Sequence, residues 1–253
     1  MTYLEFYPSN SYGVKSPEEI KLLKEKFLED LKRNEHYHLK NLFKIINSEK
    51  SIKIKIHESK IKNVLLIMVT CFVDKVLIQY GREYNLPRGF PILWIPDKLI
   101  KFFGFYPKFD NDDRKQEIDE SDFKDVQGIK FFKKWSGYLG QVCIFEINDK
   151  IYWWCCSKNS ADYNSDYIQN CKRLFENFLN ESNLKNLSDN NLHISAEIMT
   201  KFDQKHGAIV KKETPVITSL ANGCIIYLDK KKEDIITNNM VDFLDHELLV
   251  NFC

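Results

Sequence analysis

The sequence lacks the features that would place it in a membrane or direct it out of the cell. No apolar run reaches the ~18 residues of a transmembrane helix, and the run over residues 64–73 is shorter and contains Thr70 and Cys71. The first residues lack the basic and then apolar pattern of a signal peptide. We therefore expect a cytoplasmic or nuclear protein with no membrane partner.

The sequence also has almost no net charge. Its 37 Lys and Arg residues nearly balance its 36 Asp and Glu residues, which leaves +1 at pH 7. A protein that attracts nucleic acid through its overall field would be strongly basic. Any phosphate binding must therefore come from a local group of cations.

None of the seven cysteines belongs to a Cys-x-x-Cys pair, the spacing typical of zinc ligands and redox motifs. Most of the cysteines lie in apolar segments, and the adjacent Cys155 and Cys156 would face opposite sides of a strand. We expect reduced core thiols rather than disulfides or metal ligands.

The sequence does contain enough apolar surface for one substantial core or two small ones, since 43% of its 253 residues are hydrophobic and 13% are aromatic. No internal repeat is present. Ser16, Pro17 and Glu19 are typical of a helix start, and apolar residues at helical spacing predict a helical segment over 17–47. We expect this segment, residues 1–50, to pack against a main domain formed by residues 51–253.

The main domain is predicted to consist of strands with a few helices. Alternating or continuous apolar patterns predict strands within 51–62, 64–80, 193–199, 215–220 and 223–228. Helical spacing predicts helices at 166–180 and 239–252, and polar composition predicts a flexible connector at 181–191. This pattern indicates an α+β fold built on antiparallel sheets.

Two lysine motifs lie on either side of a predicted hairpin within residues 130–160. The first is Lys134-Trp135-Ser136-Gly137, and the second is Ser157-Lys158-Asn159-Ser160. Between them, the polar sequence Asn148-Asp149-Lys150 predicts a short turn. The two lysines would then converge on one anion. Neighbouring cations and partial burial would lower the pKa of Lys134, as a lysine nucleophile requires.

Further motifs flank these two in a particular order. They are Pro87-Arg88-Gly89-Phe90, the aromatic segment 101–109, and Glu197-Ile198-Met199 with His206 nine residues after the glutamate. Together with the lysine motifs, this set resembles the phage RNA ligase 1 and fungal tRNA ligase branch of the lysine-adenylating nucleotidyltransferases. The resemblance covers about residues 80–250 and implies the adenylation-type fold of that family.

The resemblance implies an ATP-dependent RNA ligase of the tRNA-splicing or RNA-repair type. Lys134 would be the nucleophile that attacks the α-phosphate of ATP, and the lysyl-AMP would pass its AMP to an RNA 5′-phosphate before an RNA 3′-hydroxyl seals the strand. Mg²⁺ would neutralise the leaving pyrophosphate. The residues expected to bind the nucleotide are Arg88, Lys101, Gly137, Lys158 and Glu197.

RNA ends would lie across the mouth of this pocket. The expected RNA contacts are Lys205, His206 and Lys211, within a basic rim that also includes Lys130, Lys133, Lys201 and Lys212. Trp153 and Tyr163 are candidates for stacking on an unpaired end. The alternative is that these lysines are only the solvated faces of strands.

Two elements of the family are not found in this sequence: Glu-Gly-(Phe/Tyr)-Val, which helps to bind the metal, and Lys-x-Lys, which binds the triphosphate. Glu213 and Glu247 are followed by threonine and leucine, and Gly104 occupies the place of an asparagine in the aromatic segment. Two interpretations stay open. The chain is an enzyme whose remaining part is missing or supplied by a second chain, or it is an inactive ligase-like module that binds nucleotide or RNA.

Overall fold

The computed structural model describes residues 3–5, 16–59, 61–71, 73, 76, 79, 84, 89–103, 129–132, 135–176, 178–202, 212–222, 225–227, 244–245 and 248–252. The helices with bounds in these residues are α1 Pro17–Arg33, α2 Tyr37–Ser48, α3 Asp166–Glu176 and α4 Glu181–Asp189. The strands are β1 Tyr3–Glu5, β2 Ile52–Glu58, β3 Leu65–Cys71, β4 Gly89–Ile95, β5 Leu99–Phe102, β6 Ile129–Phe132, β7 Tyr138–Ile147, β8 Lys150–Ser157, β9 His193–Met199, β10 Thr214–Asn222, β11 Ile225–Tyr227, β12 Leu244–Asp245 and β13 Leu248–Phe252. The fold is mixed α+β, as predicted.

The predicted N-terminal helical segment is confirmed, and it consists of two helices, α1 and α2. The first starts with a capping box, in which Ser16 Oγ accepts from the Glu19 N–H at 3.1 Å and the Glu19 carboxylate accepts from the Ser16 N–H at 2.7 Å. Both helices bury an apolar face, which includes Phe27 and Leu42, against β2–β5. The proposed domain boundary at residue 50 stays a prediction.

Strands β2–β5 form a four-stranded antiparallel sheet in sequence order. The strand predicted within 51–62 is therefore confirmed as β2, and that within 64–80 as β3. After β3, the chain is helical at Val76 and Gln79, so a second strand there is not formed at these residues.

The other large sheet has seven strands in the order β1-β8-β7-β9-β10-β11, with β12 also paired to β10. Neighbouring strands in this sheet are antiparallel, with two exceptions. β1 pairs in parallel with β8, and β12 pairs in parallel with β10. The predicted hairpin joins β7 to β8 through Asn148 and Asp149, whose φ angles are 51° and 58°. Positive φ at both central residues is what a type I′ turn requires, and Asn and Asp tolerate it.

Two local predictions are wrong. Residues 181–191 are not a flexible connector, because α4 forms there with Leu184 and Leu187 buried and with the Asn180 side chain capping its first turn. The helix predicted at 239–252 is not formed at its described residues, because β13 pairs with β6. This partner lies more than a hundred residues upstream, so long-range pairing outweighs a local helical pattern.

The two large sheets pack face to face. Within β3, Leu65 and Ile67 contact the α1–α2 side, whereas Leu66 and Met68 share a core with β7 and β8. The two faces of β8 are also distinct, since Cys155 lies in the core beside α3 and α4 and Cys156 lies in the core between the sheets. The prediction for these adjacent cysteines is confirmed. The five cysteines with described side chains are free and buried.

Candidate functional site

Strand β9 presents one face to the helices and the other to the four-stranded sheet. Ile194, Ala196 and Ile198 belong to the core beside α3 and α4. The alternate residues therefore face the opposite way, and the edge-on contact of His193 with Phe103, at 4.6 Å between ring centroids, identifies that face as the one between the sheets. Glu197 has the same parity as His193. It is half-buried on the inter-sheet face, near the end of β9.

Glu197 is hydrogen-bonded to the glycine of the first lysine motif. Its Oε1 accepts from the Gly137 N–H at 2.9 Å. Gly137 has no room for a side chain, because a Cβ there would overlap the carbonyl oxygen of Ile198. Two predicted site residues that are 60 positions apart in the sequence are therefore in direct contact.

The second lysine motif forms a tight turn at the end of β8. Ser157 N–H donates to Ser160 O at 2.8 Å, and Ser160 N–H donates to Ser157 Oγ at 3.1 Å. Lys158 lies inside this turn and is half-buried. Because β7 and β8 are antiparallel, the end of β8 lies beside the start of β7, which follows Gly137. The two motifs thus meet at one end of the sheet, as their positions around the hairpin predict.

Gly89 lies at this same end, where the backbones of the two sheets approach each other closely. A Cβ on Gly89 would overlap the carbonyl oxygen of Lys158, so the backbone of β4 approaches the lysine turn as closely as only glycine allows. Lys55 of β2 adds a second link, because its Nζ donates to Asn159 O at 3.2 Å. We refer to Gly89, Gly137, Lys158 and Glu197 as the candidate site.

Sequence reasoning missed a polar row beside Gly89. Lys53, Thr70 and Gly89 are in register across β2, β3 and β4. Thr70 has the parity of Met68, which faces the other sheet, and its buried Oγ1 has no hydrogen-bond partner among the described residues. The alternation of β2 placed Lys53 and Lys55 on one face, and this was the available signal. Only the strand register shows that they lie at the site.

Lys101 lies in a different place from the candidate site. Its Nζ is 5.7 Å from the Phe103 ring centroid. Its charge helps to lower the pKa of His193, which lies at the opposite end of β9 from Glu197. Burial lowers the pKa of Lys101, while Cys143 and Glu146 oppose this effect. Burial, with a contribution from Lys101, also lowers the pKa of His193 well below its usual range. His193 is therefore neutral, and its Nδ1 accepts from the Ile144 N–H at 3.2 Å.

Several predicted residues fall outside the described parts of the chain: Arg88, Lys133, Lys134, Lys205, His206 and Lys211. Glu213, which follows Lys211 by two positions in the sequence, is described: its Oε1 accepts from the Lys201 N–H at 2.8 Å, and its Oε2 accepts from Arg173 at 2.9 Å. The hydrogen bond from Lys201 is the main reason why the pKa of Glu213 is lowered, and Arg173 adds to it. Lys201 and Lys212 are exposed, as a basic rim requires.

One predicted RNA contact is wrong. Trp153 is only 6% exposed, because it packs in the core beside α3 and α4, so its ring is not available to a nucleic acid. Tyr163 is half-buried, and its ring lies 5.6 Å from Lys172 Nζ.

The described residues contain no group of three or more His, Cys, Asp or Glu side chains that could hold a metal ion. Two cavities of about 250 and 370 Å³ lie beside β5 and the α1–α2 junction. Lys101 lines the larger cavity, but neither cavity is lined by a residue of the candidate site. No helix in the described parts of the chain is long and apolar enough to span a membrane.

Comparisons with known proteins found no matching family model, no matching curated protein and no matching solved structure. The geometry itself indicates the chemistry that the site offers. A half-buried lysine cation and a half-buried carboxylate lie at the same end of facing sheets, beside closely approaching backbone at two glycines. Such a set is suited to a ligand that carries both an anionic group and hydroxyls.

Proposed function

We propose that this chain has an adenylation-type nucleotidyltransferase fold and acts as an ATP-dependent RNA ligase. The observation that carries the proposal is the pairing of motifs in space. Gly137 of the first lysine motif contacts Glu197, and Gly89 of the Arg-Gly motif contacts the turn with Lys158. Four motifs spread over more than a hundred residues therefore meet in two contacts at one end of the sheets, as a single nucleotide-binding site requires.

The proposed reaction has three steps. Lys134 Nζ, after losing a proton, bonds to the α-phosphorus of ATP as the bond to pyrophosphate breaks. An oxygen of an RNA 5′-phosphate then attacks the same phosphorus, and the bond to Lys134 breaks. Finally, an RNA 3′-hydroxyl attacks the 5′-phosphate, its proton is lost and AMP leaves with the sealed strand as product.

The residues of this chain bind and orient the reacting groups. Lys158 and Arg88 stabilise the charge that spreads over the phosphate oxygens during each transfer. Glu197 fixes the backbone at Gly137, three residues after the nucleophile, and its carboxylate is our candidate for the nucleoside sugar contact. Mg²⁺ is part of the resemblance, but the described residues supply no group of three or more His, Cys, Asp or Glu side chains that could hold it.

The second candidate function is a nucleotide- or RNA-binding module without turnover. It is favoured by the absence from this sequence of the Glu-Gly and Lys-x-Lys elements of the family. This module would use the same contacts at Lys158 and Glu197 but would form no bond to Lys134.

Incubation with magnesium and ATP labelled at either the α- or the γ-phosphate separates these functions. A ligase retains the α label covalently, loses the γ label, and shows neither after Lys134→Ala. A binding module retains no covalent label but still binds ATP. A chain that binds neither ATP nor RNA and never becomes labelled would contradict both functions.

A further inference from the structure

The larger of the two cavities runs along one edge of the four-stranded sheet. Its volume of about 370 Å³ lies within the range of roughly 300–1,000 Å³ that is usual for small-molecule pockets. β5 is the last strand of this sheet among the described residues. Leu99 and Lys101 on one face of β5 and Ile100 and Phe102 on the other all line the cavity. A strand that lines a cavity with both faces borders it with its edge. We call this cavity the β5 cavity.

The edge of β5 directs two backbone N–H groups toward the β5 cavity. Phe103 N–H donates to Pro91 O, on β4, at 3.1 Å. N–H groups alternate in direction along an antiparallel strand, so those of Ile100 and Phe102 point away from β4. The carbonyl oxygens of Ile100 and Phe102 share this edge, but these are dipoles, whereas the Lys101 ammonium beside them carries a full charge. The edge therefore offers an anion two N–H donors and a cation.

Helix α2 begins at the same cavity. His36, its N-cap residue, and Leu39 both line the cavity, and the His36 side chain makes no capping hydrogen bond. The first N–H groups of a helix have no partner within it and carry partial positive charge. Asn34 Oδ1 accepts from the His36 N–H at 2.9 Å, so its NH₂ group is the part of this side chain that is left for a ligand. The start of α2 thus adds further donors to those of β5.

The β5 cavity is lined by donors and by no carboxylate. Its polar lining residues are Asn34, His36, Lys101 and Asn191. Lys101 is half-buried, and it forms no ion pair with a described residue, because Glu146 and Cys143 act on it only through space. Burial outweighs their influence and lowers the pKa of Lys101. An anion in the cavity would compensate Lys101 for the water that it has lost.

The smaller cavity differs in this respect. It is also lined by Asn34 and Leu99, but it contains the carboxylates of Asp30 and Asp97. Asp30 Oδ2 accepts from Trp94 Nε1 at 2.8 Å and from the Asp97 N–H at 3.1 Å, so both residues belong to the structural link between α1 and the β4–β5 turn. An anion in the smaller cavity would meet two negative charges. Only the β5 cavity has the lining that an anion requires.

We propose that the β5 cavity binds a small organic anion. Its carboxylate or phosphate group contacts Lys101 Nζ and the N–H groups at the edge of β5, and its compact apolar body packs against Leu39 and Phe102. The site is separate from the candidate site, because Lys101 acts on His193, at the opposite end of β9 from Glu197. The inference therefore stands or falls independently of the ligase chemistry.

The test uses the full chain and three anions: phenyl phosphate, benzoate and inorganic phosphate. Benzamide is the neutral counterpart of benzoate. Binding is measured by isothermal titration calorimetry. The variants are Lys101→Met and, at the rim of the cavity, Leu99→Glu with Leu99→Gln as its uncharged counterpart. Lys98→Met is the matched control, because Lys98 is an exposed lysine that lines only the smaller cavity.

We expect the wild type to bind phenyl phosphate or benzoate more tightly than inorganic phosphate or benzamide. Lys101→Met should weaken this binding by about 10- to 150-fold, the range for loss of one charged hydrogen bond. Leu99→Glu should also weaken it, because a carboxylate then faces the anion, whereas Leu99→Gln and Lys98→Met should bind as the wild type does. The stronger of the two organic anions identifies the charged group that the site prefers.

Urea unfolding without ligand separates binding from structure. Lys101→Met should be at least as stable as the wild type, because it removes a cation that has lost part of its water. If this variant does not fold, the exposed Leu99→Glu carries the test alone. A wild type that binds none of the three anions, or binds benzamide as tightly as benzoate, would overturn the proposal. So would anion binding that neither Lys101→Met nor Leu99→Glu changes.

Competition with ATP separates this inference from the proposed function. Phenyl phosphate and ATP should bind the wild type at the same time. Displacement of phenyl phosphate by ATP would show that the β5 cavity belongs to a nucleotide site and would overturn a separate anion site. A chain that binds phenyl phosphate through Lys101 but does not bind ATP would contradict the ligase and leave the β5 cavity standing.

Discussion

Glu197 Oε1 accepts a hydrogen bond from the Gly137 N–H at 2.9 Å, and this bond links the end of β9 to the segment that carries the proposed nucleophile. Since Lys134 precedes Gly137 by only three residues, the geometry at Gly137 limits where the lysine can reach. In the proposed ligase, Glu197 would therefore act on Lys134 through the backbone as well as through its contact with the nucleotide.

Replacement of Glu197 separates these two roles. Glu197→Ala leaves the Gly137 N–H without this acceptor, which costs about 1–3 kcal/mol, and we expect at least about a tenfold loss in the rate of self-adenylation. Glu197→Gln keeps an oxygen acceptor but removes the charge. Rates are measured with α-labelled ATP at several ATP concentrations. If the glutamine variant is as slow as the alanine variant, the carboxylate charge matters and the backbone role does not.

The close approach of β4 to the lysine turn predicts the effect of Gly89→Ala. The new methyl group would overlap the Lys158 carbonyl oxygen, and backbone on both sides must move, at a cost of about 1–3 kcal/mol. We expect a lower unfolding midpoint in urea and weaker ATP binding, because Lys158 is displaced.

Gly140→Ala is the matched control for Gly89→Ala. Its Cβ would meet the side chains of Ile198 and Cys171 on the helix side of the sheet, so it perturbs packing without moving Lys158. It should lower stability while ATP binding by the folded protein is retained. Equal loss of ATP binding in both variants would mean that instability, rather than the position of Lys158, explains the effect.

We expect the folded protein to lose stability in mild acid because His193 is buried. Its pKa is held well below the usual 6.5 by burial. Below pH 6.5, His193 therefore binds a proton in the unfolded chain but stays neutral in the folded chain. The contribution of His193 to the free energy of unfolding is fully present above this pH, and it falls as the pH drops toward the folded pKa. His193 should therefore contribute to a loss of stability between pH 7.5 and pH 5.5.

This contribution is measured as a difference between two proteins. Urea unfolding of the wild type and of His193→Leu at both pH values gives it directly, because His38 and His57, whose pKa values are also lowered by burial, remain in both. The variant should be less stable at pH 7.5, since Ile144 N–H loses its acceptor, but it should depend less on pH. An equal dependence on pH in both proteins would rule out His193 as the cause.

The buried thiols should resist alkylation in the folded protein. Cys143 and Cys155 lie in two different cores, and burial raises the pKa of both well above the usual value, so little thiolate forms. Peptide mapping after brief treatment with iodoacetamide should find the five described cysteines unmodified in buffer and modified in urea. Rapid modification of Cys155 in buffer would contradict the packing of β8 against α3.

The local elements of the fold were predictable where short-range chemistry determines them. Ser16 caps the start of α1, as the sequence Ser16, Pro17 and Glu19 predicts, and Asn148 and Asp149 adopt the turn expected between two apolar runs. Both depend on residues within a few positions of each other. The placement of Gly137 and Lys158 at the same end of the sheet also followed from the antiparallel hairpin, in which Gly140 pairs with Ser157.

Features that depend on distant partners were not predictable in this way. The pairing of β13 with β6 turned an apparently amphipathic helix into a strand. Thr70 appeared to be an interruption in an apolar run, and only its register with Gly89 places its hydroxyl at the inter-sheet face beside the site. α4 was missed because it buries only a few residues in a polar stretch, and its cap at Asn180 was the signal available.

The most direct test of the proposed ligase chemistry is to locate the AMP on the protein. The wild type is incubated with ATP and magnesium, digested, and its peptides are sequenced by mass spectrometry, with Lys133→Ala as the control for a neighbouring lysine and Lys134→Ala as the loss variant. We expect AMP on Lys134 in the wild type and in Lys133→Ala, and no AMP in Lys134→Ala. AMP on any other residue, or equal labelling of all three proteins, would contradict it.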